Sequence, residues 1–170
     1  EVIEAYKLFN FDKSKYKIMI HPQSYVHSII RFKNGLIKMI LHNADMKIPI
    51  SNTLYKNNLL KIPNIKINDL NNLNFQKVNH KLFPSVKLLN KCFTSGFSAP
   101  IIVNAANEVL VDLFLREKIG FLSIVKTINK IFGDKDFNKY AKRKPKSAKD
   151  IKIIDNWARL KTLNMCVIYT

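Results

Sequence analysis

Cysteine is scarce in this sequence, since its 170 residues include only Cys92 and Cys166. These two residues lie far apart and form no C-x-x-C spacing, so neither a disulfide framework nor a cysteine zinc site is expected. Glycine is also rare, with four residues. That number is too small for a G-x-G-x-x-G nucleotide loop or a similar glycine-rich phosphate loop. The composition predicts a protein of a reducing, cytoplasmic compartment.

The sequence also lacks a long apolar run. Its longest stretch without charge extends from Cys92 to Asn107 and is interrupted by Ser, Pro, Gly and Asn, whereas a membrane span needs about 20 apolar residues. We therefore expect no membrane helix and no membrane partner. The chain opens at Glu1 without an initiator Met, a basic segment or an apolar segment, so we expect no signal peptide and interpret the chain as a piece of a longer protein.

Acidic residues are few: 12 Asp and Glu face 29 Lys and Arg, which gives a net charge of +17. Such a balance is typical of proteins that bind nucleic acid. However, only four of the basic residues are Arg, the residue on which nucleic-acid readers depend, and the excess of Lys, Asn and Ile indicates A- and T-rich coding. One dense cluster exists: Lys139, Lys142, Arg143, Lys144, Lys146, Lys149 and Lys152. A solvent-exposed loop is the simpler interpretation, and we expect no nucleic-acid partner.

What the sequence does contain is enough apolar material for a core, at 47% hydrophobic residues with eleven Phe. The first third predicts mixed structure: a helix that ends near Asn10, a strand stopped by His21-Pro22, and a hairpin whose turn is Lys33-Asn34-Gly35. A short helix with Pro49 in its first turn follows. The predicted ranges are Val2 to Phe9, Tyr16 to Ile20, Val26 to Phe32, Leu36 to Leu41 and Lys47 to Tyr55.

The remainder is predicted to be helical. Residues 56–81 lose periodicity and predict a linker. Four amphipathic helices follow: Leu82 to Phe93, stopped at Gly96; Ile101 to Leu115, with Ser98 as candidate N-cap; Phe121 to Phe132; and Ala148 to Thr162. The predicted fold class is α+β. Its domains are residues 1–55 with the hairpin-containing sheet, a linker at 56–81, and a small four-helix bundle at 82–170.

Polar side chains that could perform chemistry concentrate at two places. The segment from His21 to Ser28 puts two histidines and two serines at a strand end, but the histidine spacing is not that of a helical zinc site. Each histidine on its own is more often structural. Glu1 and Glu4 share one helix face and could hold a hard divalent cation with oxygens from other segments, or be two surface acids.

Taken together, several segments resemble the C-terminal portion of the 1-deoxy-D-xylulose 5-phosphate reductoisomerase family. Their order and spacing match over almost the whole chain. The segments are Glu1-Val2-Ile3-Glu4-Ala5, His21-Pro22-Gln23-Ser24 with His27-Ser28, Asp45-Met46-Lys47-Ile48-Pro49-Ile50, Phe83-Pro84, Asn104-Ala105-Ala106-Asn107-Glu108, Gly120-Phe121 and Asp155-Asn156-Trp157-Ala158-Arg159. The resemblance implies the C-terminal part of an α/β catalytic domain followed by a helical domain. From the residues alone, the Asn104 to Glu108 segment favours helix packing.

The resemblance also implies an activity. Members of this family use NADPH and Mg²⁺ or Mn²⁺, with Co²⁺ as a further candidate, to rearrange and reduce 1-deoxy-D-xylulose 5-phosphate to 2-C-methyl-D-erythritol 4-phosphate, the committed step toward isoprenoid precursors. It implies a sugar-phosphate substrate and a homodimer that involves the strands from Val26 to Leu41. The nucleotide-binding domain and the other metal carboxylates would precede Glu1, so this chain alone is expected neither to bind NADPH nor to turn over substrate.

The resemblance assigns roles to individual residues. Glu1 matches a metal-ligating carboxylate that closes an Asn-Lys-Gly-Leu-Glu motif, and Glu4 would support the metal site. Ser24 and His27 match residues that line the active-site pocket, where His27 would orient its neighbours by hydrogen bonding. Met46 matches an apolar wall near the nicotinamide, although Ala44 stands where many relatives have Pro.

Two alternatives compete with this interpretation. One is a basic nucleic-acid-binding module centred on Lys139 to Lys152, whose affinity would fall steeply with salt. The other is a noncatalytic helical interaction domain, in which the His-Pro-Gln-Ser segment is merely a structural turn.

Overall fold

The computed structural model describes residues 1–55 and 65–167. The chain forms two compact units. The strand unit comprises Tyr16–Val78, and the helical unit comprises Glu1–Lys15 together with Asn79–Thr170. None of the helices in the described ranges is long and apolar enough to cross a membrane.

Strands and α-helices follow one another in a mixed order. The strands are β1 (Met19–Ile20), β2 (Val26–Arg31), β3 (Ile37–Leu41) and β4 (Gln76–Lys77). The helices are α1 (Val2–Phe9), α2 (Lys47–Leu54), α3 (Val86–Ser95), α4 (Ala99–Leu115), α5 (Phe121–Phe132), α6 (Phe137–Ala141) and α7 (Ala148–Val167). Short 3₁₀ turns lie at Lys13–Lys15 and Ile67–Leu70. This mixture of helix and sheet agrees with the predicted α+β class.

The predicted hairpin is present in the strand unit. Strands β2 and β3 pair antiparallel, and the turn is closed by hydrogen bonds from Phe32 N to Leu36 O at 2.8 Å and from Gly35 N to Phe32 O at 3.2 Å. Gly35 takes a φ of +88°. A three-residue loop of this kind needs a positive φ at its last position, which glycine adopts without a steric penalty.

A second strand pair was not predicted. Strand β1 pairs antiparallel with β4, with Met19 opposite Lys77 and Ile20 opposite Gln76. Strand β4 lies inside the range predicted as a linker, so the structure departs from that prediction over residues 65–78. The physical reason is that a two-residue strand has no periodicity of its own and forms only where a partner is supplied. Residues 56–64 of the predicted linker lie outside the described residues.

The helical unit is organised around α4, which packs against α3, α5, α6 and α7. Apolar residues, most of them small or branched, fill its core: Leu88, Cys92, Ala99, Ile102, Ala105, Ala106, Leu110, Ile124, Ile128, Ile131, Phe137, Ala141, Ile154 and Ala158. The four helices predicted after residue 82 correspond to α3, α4, α5 and α7, although α3 begins at Val86 and not at Leu82. The helical unit nevertheless contains six of the described helices, not four. One addition is α1, whose residues were predicted to belong to the first domain, and the other is α6, which was not predicted.

Ser98 occupies the N-cap position of α4, as predicted, but makes no capping hydrogen bond. Its Oγ instead donates to the Arg143 carbonyl oxygen at 2.6 Å, and its N–H donates to the Ala141 carbonyl oxygen at 2.8 Å. The buried Ser98 hydroxyl therefore connects the start of α4 to the end of α6. This contact joins residues that are distant in the sequence, so the residues around Ser98 alone could not predict it.

An ion pair joins α7 to the segment after α5. Lys161 Nζ lies 2.6 Å from Asp134 Oδ2, and the Asp134 side chain is only 8% exposed. Burial by itself would raise the pKa of Asp134. The hydrogen bonds from Lys161 and from the Asp136 N–H outweigh it, so the pKa of this carboxyl lies below its ordinary value. Asp134 therefore stabilises the fold in its charged form.

We expect this pair to make stability pH-dependent. Because the pKa of Asp134 is lower in the folded state than in the unfolded state, its contribution is present above the unfolded value of about 3.9 and is lost as pH falls through the folded pKa. Asp134→Asn should reduce the free energy of unfolding by about 2 kcal/mol at pH 7, and by less below pH 4. Urea titrations at several pH values measure this.

The matched control is Asp112→Asn, which removes an exposed carboxylate of α4 that pairs with Arg116, the residue directly after this helix. Exposed pairs of this kind contribute at most about 0.5 kcal/mol. Equal losses from the two variants, or a loss for Asp134→Asn that does not shrink in acid, would contradict the assignment.

Candidate active-site segments

The His21-Pro22-Gln23-Ser24 segment forms a tight turn at the end of β1. The Ser24 N–H donates to the His21 carbonyl oxygen at 3.1 Å, and Pro22 supplies the fixed φ that suits the second position of such a turn. Ser24 itself has a φ of +56°, in the left-handed region that residues with a Cβ rarely occupy. The strand end thus presents an exposed serine in an unusual backbone conformation.

Side chains of this turn bind the segment that leads into β4. The Gln23 amide donates from Nε2 to the Asn72 carbonyl oxygen at 2.8 Å and accepts at Oε1 from the Asn74 N–H at 3.3 Å. The His21 ring stacks on Phe75 with 4.9 Å between centroids. His21 Nδ1 lies 2.8 Å from the Asn74 carbonyl oxygen, so Nδ1 carries the proton. Its Nε2 is buried without a hydrogen-bond partner among the described residues.

His27 occupies an irregular position in β2. The register shifts between Val26, opposite Leu41, and Ser28, opposite Ile40, so His27 is the extra residue of a bulge. Bulges redirect a side chain and recur beside active sites.

The redirected His27 ring stacks on His42 with centroids 3.7 Å apart and planes within 4°. His27 Nε2 lies 3.1 Å from the His42 carbonyl oxygen, and His42 Nδ1 lies 2.6 Å from the Asn43 carbonyl oxygen. Each ring donates to a carbonyl oxygen, which fixes its tautomer and orientation. His42 was not predicted as a site residue. The sequence showed only that a histidine directly follows the strand predicted from Leu36 to Leu41.

Met46 lies at the N-terminus of α2 and is 63% exposed. The preceding Asp45 fixes this helix start, because its Oδ1 accepts from the Lys47 N–H at 2.9 Å. The start of α2 is therefore fixed, and the Met46 side chain at this helix start is largely exposed.

Glu1 and Glu4 lie at the start of α1. As predicted, this helix ends near Asn10, and the structure shows that Asn10, its C-cap residue, has a left-handed conformation. Their side chains are 99% and 77% exposed. Within residues 1–55 and 65–167 no group of three or more His, Cys, Asp or Glu side chains is placed to hold a metal ion. Glu1 and Glu4 therefore belong to no three-residue group of these types in the part of the chain that the structure describes.

The residues predicted for the site divide between the two units. Ser24, His27 and Met46 belong to the strand unit, where the turn, the bulge and the start of α2 carry them. Glu1 and Glu4 belong to the helical unit.

The Asn104 to Glu108 segment packs helices, as its residues predicted. Ala105 and Ala106 on α4 and Ala158 on α7 are fully buried, which lets the two helices approach closely. Arg159 Nη2 donates to Glu108 Oε2 at 2.5 Å, and Arg159 Nε donates to an Asp155 carboxylate oxygen at 2.7 Å.

This network also shifts pKa values. The hydrogen bond from Arg159 lowers the pKa of Glu108. The hydrogen bonds to Asp155 and then Glu108 raise the pKa of Arg159. Two segments that carry the family resemblance thus join α4 to α7.

The basic cluster defined by Lys139, Lys142, Arg143, Lys144, Lys146, Lys149 and Lys152 is exposed at every position. It extends from α6 through a loop into α7. The Arg143 guanidinium lies 4.9 Å from the centre of the Tyr140 ring. Exposure of the whole cluster agrees with the interpretation as solvated surface.

Comparison with known proteins gives these segments a family. A family model described as the DXP reductoisomerase C-terminal domain matches residues 41–161. The chain belongs to the DXP reductoisomerase family. Among curated relatives named 1-deoxy-D-xylulose 5-phosphate reductoisomerase, the protein of Pelagibacter ubique is 41% identical over 98% of this chain and 44% of its own length. That of Zymomonas mobilis is 35% identical over 94% of this chain and 40% of its own length.

Solved structures of the DXP reductoisomerase family have the same fold over the matched region. The Zymomonas mobilis enzyme in complex with NADPH superimposes with a TM-score of 0.80 at 33% identity, over 97% of this chain and 43% of that one. A DOX-P reductoisomerase in complex with NADPH, fosmidomycin and magnesium superimposes with a TM-score of 0.88 at 26% identity, over 99% of this chain and 43% of that one. The chain thus spans less than half the length of these relatives.

Proposed function

We propose that this chain is the C-terminal portion of an NADPH- and divalent-metal-dependent reductoisomerase that converts 1-deoxy-D-xylulose 5-phosphate to 2-C-methyl-D-erythritol 4-phosphate. The observation that carries the proposal is the superposition of 99% of the chain on a reductoisomerase bound to NADPH, fosmidomycin and magnesium. The product would enter isoprenoid precursor synthesis in the cytoplasm. The proposed partners are the sugar phosphate and a second copy of the protein, without nucleic acid or membrane.

Glu1 is the proposed metal ligand, with Glu4 in support. The residues fit Mg²⁺ or Mn²⁺, with Co²⁺ as a further candidate, because these ions accept carboxylate oxygen and Mg²⁺ is commonly held by one or two carboxylates plus substrate oxygens. Both side chains are exposed on one face of α1. When bound, the metal supplies Lewis-acid stabilisation of charge on oxygen, and NADPH supplies the hydride.

Ser24 and His27 are the proposed pocket residues of the strand unit. The Ser24 hydroxyl is exposed and can hydrogen-bond a sugar-phosphate oxygen. His27 has its Nε2 engaged with the His42 carbonyl oxygen, which supports an orienting role rather than proton transfer from that nitrogen. Met46, exposed at the start of α2, is the proposed apolar wall beside the nicotinamide.

The proposed homodimer would use the hairpin of β2 and β3. Apolar side chains on both strands are close to half exposed, among them Ile30, Ile37 and Ile40. Exposed apolar surface on a paired sheet is typical of a face that another protein surface covers. The remaining elements of the proposal, NADPH binding and the other metal ligands, would belong to the portion that precedes this chain in its relatives.

A chimera tests the proposal. In the Pelagibacter ubique relative, the matched region is replaced by this chain, and consumption of NADPH is followed with the sugar phosphate and Mg²⁺. We expect the chimera to turn over substrate and to lose this activity after chelation of the metal. Light scattering should show that the chimera is a dimer.

Variants of the chimera test the site residues. Glu1→Gln should lower kcat/KM about 100-fold, and His27→Ala about tenfold. The isolated 170-residue chain should neither bind NADPH nor turn over substrate.

The control is Glu117→Gln, which neutralises another exposed acid of the helical unit and should leave kcat/KM unchanged. A chimera that has native helix content but no turnover would contradict the proposed function. Full activity of Glu1→Gln would contradict the metal assignment alone.

A further inference from the structure

We propose that Gln23 is a positioning residue for Ser24, because its side-chain amide clamps the His-Pro-Gln-Ser turn onto Asn72 and Asn74. The clamp would hold the serine hydroxyl where the sugar phosphate binds. The role given to Ser24 rests on the proposed function, whereas the clamp itself rests on hydrogen bonds within the strand unit.

The backbone of Ser24 needs such a clamp. Its φ of +56° is costly for a residue with a Cβ, and a strained conformation persists only where surrounding contacts fix it. Within the turn, the bond from the Ser24 N–H to the His21 carbonyl oxygen, at 3.1 Å, is shared with any turn of this type. It does not by itself select a left-handed residue at this position.

Gln23 supplies the additional contacts from the adjacent position. The amide nitrogen and the amide oxygen of Gln23 both bind backbone groups. Nε2 donates to the Asn72 carbonyl oxygen at 2.8 Å, and Oε1 accepts from the Asn74 N–H at 3.3 Å. Asn72, like Ser24, has a positive φ, of +68°. A glutamate could not donate to Asn72, and an asparagine is one carbon shorter, so a glutamine is the side chain that makes both bonds.

The turn has a second anchor that does not involve Gln23. Strand β1 pairs with β4, and His21 donates to the Asn74 carbonyl oxygen at 2.8 Å while its ring stacks on Phe75. Loss of the Gln23 amide should therefore leave the strand unit folded and release only the end of the turn. This separation makes a positioning role testable.

The test uses Gln23→Met, which keeps the length of the side chain and removes both hydrogen bonds. In the chimera, this variant should raise KM for the sugar phosphate about tenfold, because a misplaced hydrogen-bonding group weakens substrate binding by about this factor. Both kcat and KM for NADPH should stay within about twofold of the values of the unmodified chimera. Ser24→Ala should raise the same KM at least as much. The double variant should match Ser24→Ala alone, since Gln23 acts through the serine.

Gln76→Met is the matched control, because Gln76 is an exposed glutamine of β4 in the same unit, and it should leave every constant unchanged. Additive effects of Gln23→Met and Ser24→Ala would overturn the positioning role, as would an increase in both KM values.

A second measurement does not depend on activity. In the 170-residue chain, amide hydrogen exchange at Ser24 should become about tenfold faster in Gln23→Met. Exchange at His42, whose N–H donates to the Tyr25 carbonyl oxygen at 3.0 Å, should be unchanged. An unaltered Ser24 rate overturns the clamp. A chimera without turnover contradicts the proposed function instead, so the two failures are distinguishable.

Discussion

Gly96→Ala is expected to destabilise the helical unit by about 3 kcal/mol or more. Gly96 joins α3 to α4 with a φ of +140° and a ψ of +169°. This region of backbone space is open to glycine almost alone. A Cβ at this position would also lie 2.4 Å from the Ala141 carbonyl oxygen and 2.7 Å from the Ala141 carbonyl carbon. Backbone strain and a backbone clash thus act together.

The clash cannot be relieved cheaply because the loop is fastened on both sides. Two residues further on, Ser98 donates from its N–H to the same Ala141 carbonyl oxygen at 2.8 Å and from its Oγ to the Arg143 carbonyl oxygen at 2.6 Å. Ser98 is fully buried. Moving the loop away from α6 would break both bonds and leave a buried hydroxyl without a partner, which itself is costly.

Urea unfolding followed by circular dichroism measures the effect, with Gly120→Ala as the matched control. Gly120 precedes α5 with a negative φ of −76°, and no atom lies within 4 Å of the Cβ that alanine would add. That variant should change the free energy of unfolding by less than about 0.5 kcal/mol. Comparable stability of the two alanine variants would contradict the close approach of Gly96 to α6.

Elements with strong local signals were predictable from the sequence. The apolar stripes of α1 and α5 predicted both helices with the bounds that the structure has, because the apolar face of an amphipathic helix is visible in the spacing of its own residues. The hairpin was likewise predictable, since Gly35 marks the position that requires a positive φ. In each case the information lies within a few residues of the element itself.

Elements that depend on distant partners were not predictable. Strand β4 has two residues and exists because β1 pairs with it. The clamp of Gln23 and the stack of His27 on His42 likewise join positions that are remote in the sequence. Family resemblance indicated Ser24 and His27 as site residues, but their supporting contacts required the three-dimensional arrangement. Residue type can indicate the chemistry of a site, whereas its geometry comes from the fold.

Helix α6 is the clearest case of a tertiary contact that decides local structure. It has five residues, too few to be stable alone. Phe137 is its anchor: the side chain is 2% exposed and packs against Phe132 with 4.9 Å between ring centroids. Three residues further along the helix, Tyr140 stacks on Trp157 with 4.4 Å between ring centroids. The helix therefore forms because a large apolar side chain is buried beneath it.

Phe137→Ala is accordingly expected to lower the free energy of unfolding by about 3–5 kcal/mol, the usual cost of removing a fully buried phenylalanine. Loss of α6 would also unstack Tyr140 from Trp157, the only tryptophan in the chain, so its native-state fluorescence should shift to longer wavelength. Phe121→Ala, at a 67% exposed position, should cost less than about 1 kcal/mol and leave the emission unchanged. An unaltered Trp157 spectrum in Phe137→Ala would show that α6 does not depend on this anchor.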